Sequence, residues 1–211
     1  MNPAASTYSA STGHSQRITG VILAGGRGSR MDGADKGLLE ISGTTFLAII
    51  AKLFEPQVSS LVISANRNLS AYKAYGYPVV TDSMGGYPGP LGGILSAMDH
   101  CDTELLLTVP CDAPLLAADY STRMYRSMIN TKTDACVAHD GTRMQPVYSL
   151  LHCKHIKLLR NYLETGNHSV QHWIQSLTPA LVDFSDRPEQ FYNLNTSADR
   201  KTLEEFLQDR Q

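Results

Sequence analysis

Apolar positions along this chain come in short runs separated by polar and glycine-rich breaks. Ile18, Val21, Ile22 and Leu23 form a largely β-branched run that stops at Ala24-Gly25-Gly26. That pattern predicts a buried strand emptying into a loop at its carboxyl end. Residues 61–63, 78–80 and 105–109 repeat it, and each run stops at polar or proline-bounded residues: Ser64-Ala65-Asn66-Arg67, Thr81-Asp82-Ser83 and Pro110-Cys111-Asp112. Between the runs the period changes. Phe46, Leu47, Ile50, Leu53 and Phe54 keep helical spacing, with Thr44 placed to cap the helix and Pro56 beyond its end. Further helices are expected near residues 70–75 and 91–100, and a short strand-like piece over residues 38–41.

The second half is less regular. It predicts helices over residues 119–129, 155–163 and 170–177, and strands over 135–138, 145–150 and 180–184. Asp140-Gly141 makes a turn, and a last helix follows Thr196, which has Asp199 three residues on as in a capping box. Strand alternating with helix argues for an α/β chain with a mostly parallel sheet and helices on both faces. Such sheets bind ligands beyond the carboxyl ends of their strands. Four strand ends are therefore candidates: residues 23–26, Asn66, Asp82 and Asp112. Neither an internal repeat nor a linker is visible, so residues 17–211 read as one domain. Residues 1–16, rich in Ser, Thr, Ala and Gly, read as a disordered extension.

Composition narrows the partners. The chain has 211 residues, 42% of them hydrophobic, and a formal net charge of −2. It lacks the basic excess expected of a nucleic-acid binder. No apolar run reaches membrane-spanning length and residues 1–16 lack a signal-peptide core, so a cytoplasmic protein is expected. Cys101, Cys111, Cys136 and Cys153 are widely spaced, without a Cys-x-x-Cys pair, and read as reduced thiols.

The segment from Leu23 to Lys36 holds four glycines, Arg27, Arg30 and Lys36. Glycines let backbone N–H groups approach a ligand and the cations supply charge, so this loop suits a phosphate. It is not a Walker A loop, because no Gly-Lys-Ser/Thr follows at the right spacing. Nor is it a dinucleotide fingerprint, since Met31 stands where the third Gly should be. Asp112 follows the most apolar strand and is suited to hold Mg²⁺ beside a polyphosphate. Asp82 could serve ribose, metal or only a turn, and Asn66 could read a base or ribose edge. His152 with His155, and His168 with His172, assemble no catalytic set, and there is no nucleophile elbow.

Leu23-Ala24-Gly25-Gly26, Ser29-Arg30-Met31 and Asp35-Lys36 together resemble the signature of the molybdenum cofactor nucleotidyltransferases. Asn66-Arg67, Asp82-Ser83, residues 87–93, Pro110-Cys111-Asp112, residues 183–186 and residues 193–196 resemble the guanylyltransferase group in the same order. The likeness runs from Ile18 to the C-terminus. One departure is Asp32, where the family usually has Gly.

The resemblance implies a single-domain, Rossmann-like three-layer fold of the nucleotide-diphospho-sugar transferase type. It implies transfer of GMP from Mg²⁺-bound GTP to the terminal phosphate of molybdopterin. It also implies that the Leu23-Ala24-Gly25 backbone, Asn66 and Asp82 hold guanosine, that Lys36 and Arg30 meet phosphates, and that Asp112 carries Mg²⁺. Asn193 and Asn195 would face molybdopterin. Proteins of cofactor biosynthesis and molybdoenzyme chaperones would be its further partners. Attack of one phosphate on another needs alignment and charge neutralisation but no side-chain nucleophile, in keeping with the missing triad.

Three other readings compete, two within the nucleotidyltransferase class and one outside it. A cytidylyltransferase acting on molybdopterin or another small phosphate would share most of these residues; its relatives read Leu-Ala-Ala-Gly at residues 23–26. A sugar-1-phosphate nucleotidyltransferase is more distant, lacking here its Thr-Arg-Leu continuation. A non-catalytic nucleotide carrier would have little need of Asp112 as a metal ligand facing the cleaved bond.

Overall fold

A computed structural model describes residues 17–25, 35–84, 88–112 and 114–192. Arg27 and Arg30 in the glycine-rich loop, Asn193 and Asn195, the last expected helix and residues 1–16 lie outside the described residues.

The strand-like runs assemble into one seven-stranded sheet. Its strands are β1 (Ile18–Leu23), β4 (Ser60–Ser64), β5 (Val79–Val80), β6 (Leu105–Pro110), β7 (Ala135–His139), β8 (Met144–His152) and β9 (Ala180–Asp183). Their spatial order is β5-β4-β1-β6-β8-β7-β9. All neighbours run parallel except at β8, which is antiparallel to both β6 and β7. All six residues of β1 are buried, which requires cover on both faces of the sheet.

The pleat sorts that cover into two layers. Ile18, Ile22, Leu61, Ile63, Leu107 and Val109 pack on one face with α1 (Phe46–Phe54), α2 (Leu69–Lys73) and α4 (Tyr120–Thr131). Val21, Leu23, Leu106 and Val137 pack on the other with α3 (Pro90–Asp99), α5 (Ile156–Glu164) and α6 (Val170–Ser176). The result is the three-layer α/β fold the periodicity predicts.

Two local expectations shift. Residues 38–41 were expected as a strand, but Lys36–Leu38 form a 3-10 turn and only Glu40–Ile41 (β2) are extended. β2 pairs antiparallel with β3 (Thr44–Thr45), so Thr44 is held in a hairpin and Thr45 caps α1, its side chain accepting from Ala48 N at 3.3 Å. With two threonines adjacent, spacing alone does not decide which caps.

Sheet register decides what the strand ends bring together. Leu23 is level with Ser64 on one side and Pro110 on the other, and Ser64 is level with Val80. Gly25, Asn66, Asp112 and Asp82 each lie two residues past one of these level positions. The ladder continues past the strands through Ala24 N to Ser64 O (2.8 Å), Cys111 N to Leu23 O (3.1 Å) and Ala65 N to Val80 O (3.0 Å). Four separate stretches of sequence therefore meet along one carboxyl edge.

Candidate active site

Lys36, the last residue of the glycine-rich segment, opens the 3-10 turn over Lys36–Leu38. Its Nζ lies 2.7 Å from Asp112 Oδ2, forming an ion pair. Asp112 is nearly buried at 8% exposure, just past β6. A carboxylate at that depth is stabilised by a charged donor, because leaving it unpaired costs much of its hydration. The pairing also shows where the loop returns: on the carboxyl edge, against the strand end expected to hold a metal.

On the other side of β1, Asn66 and Asp82 lock together. Asn66 Nδ2 donates to Asp82 Oδ2 at 2.8 Å, and Asp82 N donates to Asn66 Oδ1 at 2.8 Å. Gly25 packs against this pair; a β-carbon there would sit 3.1 Å from Asn66 Nδ2. The first turn of α3 closes it from behind, since a β-carbon at Gly92 would come within 3.0 Å of the Asp82 carboxyl group.

Asp82 Oδ1 is buried and finds no hydrogen-bond partner among the described residues. Burial raises the Asp82 carboxyl pKa above the usual carboxylate range, opposed by the Asn66 bond. A buried acceptor without a donor is costly in the unliganded protein and is met by a ligand that brings an N–H or O–H group. The base and ribose of a nucleotide carry both kinds of donor.

The structure thus gathers Leu23, Ala24, Gly25, Lys36, Asn66, Asp82 and Asp112 on one edge. Sequence reasoning names Asp35 in the signature but gives the carboxylate beside Lys36 no role. Asp35 has only 4% of its side chain exposed and bonds to Tyr72 and Asn68. A charged residue next to the phosphate lysine was the available signal.

Other groupings fall away from this edge. His155 Nε2 lies 3.7 Å from Asp134 Oδ2, which itself pairs with Lys154 at 2.6 Å, a charge cluster at the opposite end of β8. Cys101 and Cys153, 52 residues apart, bring their sulfurs to 3.4 Å near the amino ends of β1 and β6. Among the described residues no helix is long and apolar enough to cross a membrane.

Known proteins can be set against this geometry. The family model for the MobA-like NTP transferase domain matches residues 20–181, which span every strand of the main sheet except the ends of β1 and β9. The chain belongs to that family. A molybdenum cofactor guanylyltransferase of Shewanella sediminis is 40% identical over 193 residues, covering 92% of this chain and 98% of the relative. One from Photobacterium profundum is 43% identical over 181 residues, covering 86% and 92%.

Among solved structures, the molybdopterin-guanine dinucleotide biosynthesis protein A of Archaeoglobus fulgidus superposes with a TM-score of 0.76 at 18% identity, covering 90% of this chain and 99% of that one. A 4-diphosphocytidyl-2C-methyl-D-erythritol synthase from Anaerococcus prevotii gives 0.68 at 13% identity, covering 90% and 96%. These two establish the shared fold. The family membership makes the protein a nucleotidyltransferase.

Proposed function

We propose that the chain transfers GMP from GTP to the terminal phosphate of molybdopterin, yielding molybdopterin guanine dinucleotide and pyrophosphate. A phosphate oxygen of the acceptor attacks the α-phosphorus of GTP, and the bond from that phosphorus to the bridging oxygen of pyrophosphate breaks. The observation that carries this reading is the placement of the Lys36–Asp112 ion pair on the same carboxyl edge as the Asn66–Asp82 pair. One suits a polyphosphate, the other a nucleoside. The names of the similar proteins, molybdenum cofactor guanylyltransferases, support the choice of both substrates.

Each group has a physical task. Asn66 and Asp82 bind the nucleoside, with Asp82 Oδ1 accepting from a base N–H or ribose hydroxyl. The backbone of Leu23, Ala24 and Gly25 supplies further donors and acceptors at the strand end. Lys36 exchanges Asp112 for phosphate oxygens when nucleotide binds, keeping a charged partner throughout. Arg30, in the same loop, is assigned to the phosphates with it. Asp112 suits Mg²⁺: a nearly buried carboxylate is a hard oxygen ligand, and such an ion completes its shell from phosphate oxygens and water. The bound ion would neutralise charge at the phosphates. Asn193 and Asn195 are assigned to the acceptor, and the cytoplasm, where GTP is supplied, is the proposed location.

The test is incubation with GTP, Mg²⁺ and molybdopterin, reading the product by mass and pyrophosphate by release. A guanine dinucleotide is expected. Product with CTP but not GTP would replace this reading with a cytidylyltransferase. Nucleotide binding without pyrophosphate release would leave a carrier.

A further inference from the structure

Asp35 occupies the capping position of the 3-10 turn that begins at Lys36, yet its side chain makes no capping bond. The carboxylate turns inward instead, with 4% of its side chain exposed. Tyr72 Oη donates to Oδ1 at 2.5 Å, Asn68 Nδ2 donates to Oδ2 at 3.1 Å, and Arg67 Nε stands 3.7 Å from Oδ2. All three partners come from the short stretch that leaves β4 and enters α2. A buried carboxylate with two hydrogen bonds and an ion pair is held in one orientation, and so is the backbone that carries it.

The neighbouring contacts tighten the same clamp. Tyr72 is fully buried, and burial together with the Asp35 bond raises its phenol well above its usual range, so it remains a donor. The backbone of Gly37 lies against that hydroxyl; a β-carbon at Gly37 would come 2.7 Å from Tyr72 Oη. Asn68 sits in the left-handed region at φ 50°, a conformation that asparagine tolerates and that its bond to Asp35 helps hold. Arg67 directly follows Asn66, which is fixed to Asp82 by two hydrogen bonds. One three-residue segment therefore serves both sides of the edge.

We propose that Asp35 is a positioning residue whose buried carboxylate, anchored by Tyr72, Asn68 and Arg67, fixes Lys36 where it meets Asp112. It does not touch substrate; it acts through Lys36. The inference rests on the phosphate role given to Lys36.

A double-mutant cycle in the full-length protein tests it, reading kcat and KM for GTP at a temperature well below the melting point of every variant. Asp35→Asn keeps the shape but replaces an acceptor oxygen with a donor facing Tyr72 or Asn68. Its kcat is expected to fall on the order of tenfold to a hundredfold, the scale for misplacing a group by about an ångström. Tyr72→Phe should follow with a smaller loss. In the Lys36→Ala background, either change should alter kcat by no more than about twofold, because groups acting as one unit are not additive. Losses that multiply in the double variants would show a general structural role and overturn the inference alone. A Lys36→Ala variant as active as the parent would overturn the phosphate reading and the inference with it. Should Asp35→Asn fail to fold, the Tyr72→Phe arm completes the cycle.

Discussion

Lys36 and Asp112 lie 76 positions apart in the chain, yet their charged atoms meet at 2.7 Å beside the carboxyl end of β1. Neither neighbour in the sequence brings them together. The register of β1 with β6 does, by setting Leu23 level with Pro110 and carrying Asp112 two residues beyond.

Removing either partner should therefore affect both activity and folding. Lys36→Ala is expected to cost about 2–4 kcal/mol of transition-state stabilisation, the scale for one preorganised charge. A loop lysine judged by sequence alone promises little effect on stability. Here it pairs with a carboxylate whose side chain is 12% exposed, so its loss should also destabilise the fold by about 1–3 kcal/mol. Asp112→Asn should show the same order of activity loss, with partial recovery at high Mg²⁺ or with Mn²⁺. Initial rates across a metal titration and urea unfolding of each variant check both; identical metal dependence in Asp112→Asn and parent would remove Asp112 as the ligand.

Asp82 predicts the opposite balance. Burial raises its carboxyl pKa, so the folded state disfavours the charged form. That penalty is absent below the unfolded pKa, grows as pH rises from there to the raised folded pKa, and is fully present above it. Asp82→Asn removes the charge and keeps an oxygen for Asn66. The unliganded variant should melt at pH 7 no lower than the parent, with any advantage shrinking as pH falls through the raised pKa, while GTP turnover drops. A clearly lower Tm at pH 7 would show that Asp82 stabilises the unliganded fold.

Much of this was legible in the sequence, for a physical reason. A strand buried on both faces must be a continuous apolar run, and a parallel strand must be followed by a crossover, so runs such as residues 61–63 and 105–109 show themselves. The strand-end candidates Asn66, Asp82 and Asp112 follow from the same logic, since each stands within three residues of the end of its run. What was hidden depends on contacts distant in sequence. Nothing near Asp35 announces Tyr72, which the sequence places only in a short helix and the fold buries. The approach of Cys101 to Cys153 depends on the β6–β8 pairing, in which Leu105 is level with His152.

That thiol pair makes its own prediction. The hydrogen bond from Cys153 pulls the Cys101 thiol down to about 5, aided by Thr103 and Thr19 and opposed by burial. The same bond and burial push Cys153 up. Cys101 is then the more readily deprotonated thiol of the pair, and Cys111 and Cys136 are buried thiols. Iodoacetamide at about pH 6.5 should label Cys101 first, as read by peptide mass. Because the pair lies at the amino end of the sheet, labelling should leave most of the transferase activity in place. Preferential labelling of Cys153 would contradict the assignment of donor and acceptor within the pair.

The choice of base is the last prediction, and it turns on Gly25. The sequence has glycine where cytidylyltransferase relatives carry alanine, and a residue without a β-carbon leaves room for a purine. The structure adds a mechanism: a β-carbon at residue 25 would stand 3.1 Å from Asn66 Nδ2, the atom that donates to Asp82. Alanine must therefore push the Asn66 amide aside by a few tenths of an ångström and loosen its grip on Asp82. Asp82 Oδ1 has no donor among the described residues, and guanine brings N–H groups on its Watson–Crick edge, whereas cytosine presents acceptors at two of the three positions there. Each buried group left unpaired costs about 1–3 kcal/mol, so the parent should prefer GTP to CTP by about tenfold or more. Gly25→Ala should narrow that ratio, chiefly by slowing GTP use. Initial rates with both nucleotides in parent and variant decide it. Equal use of GTP and CTP by the parent would end the guanylyltransferase reading. A GTP preference that survives Gly25→Ala unchanged would move selectivity away from Gly25, to the first turn of α3 behind Asp82.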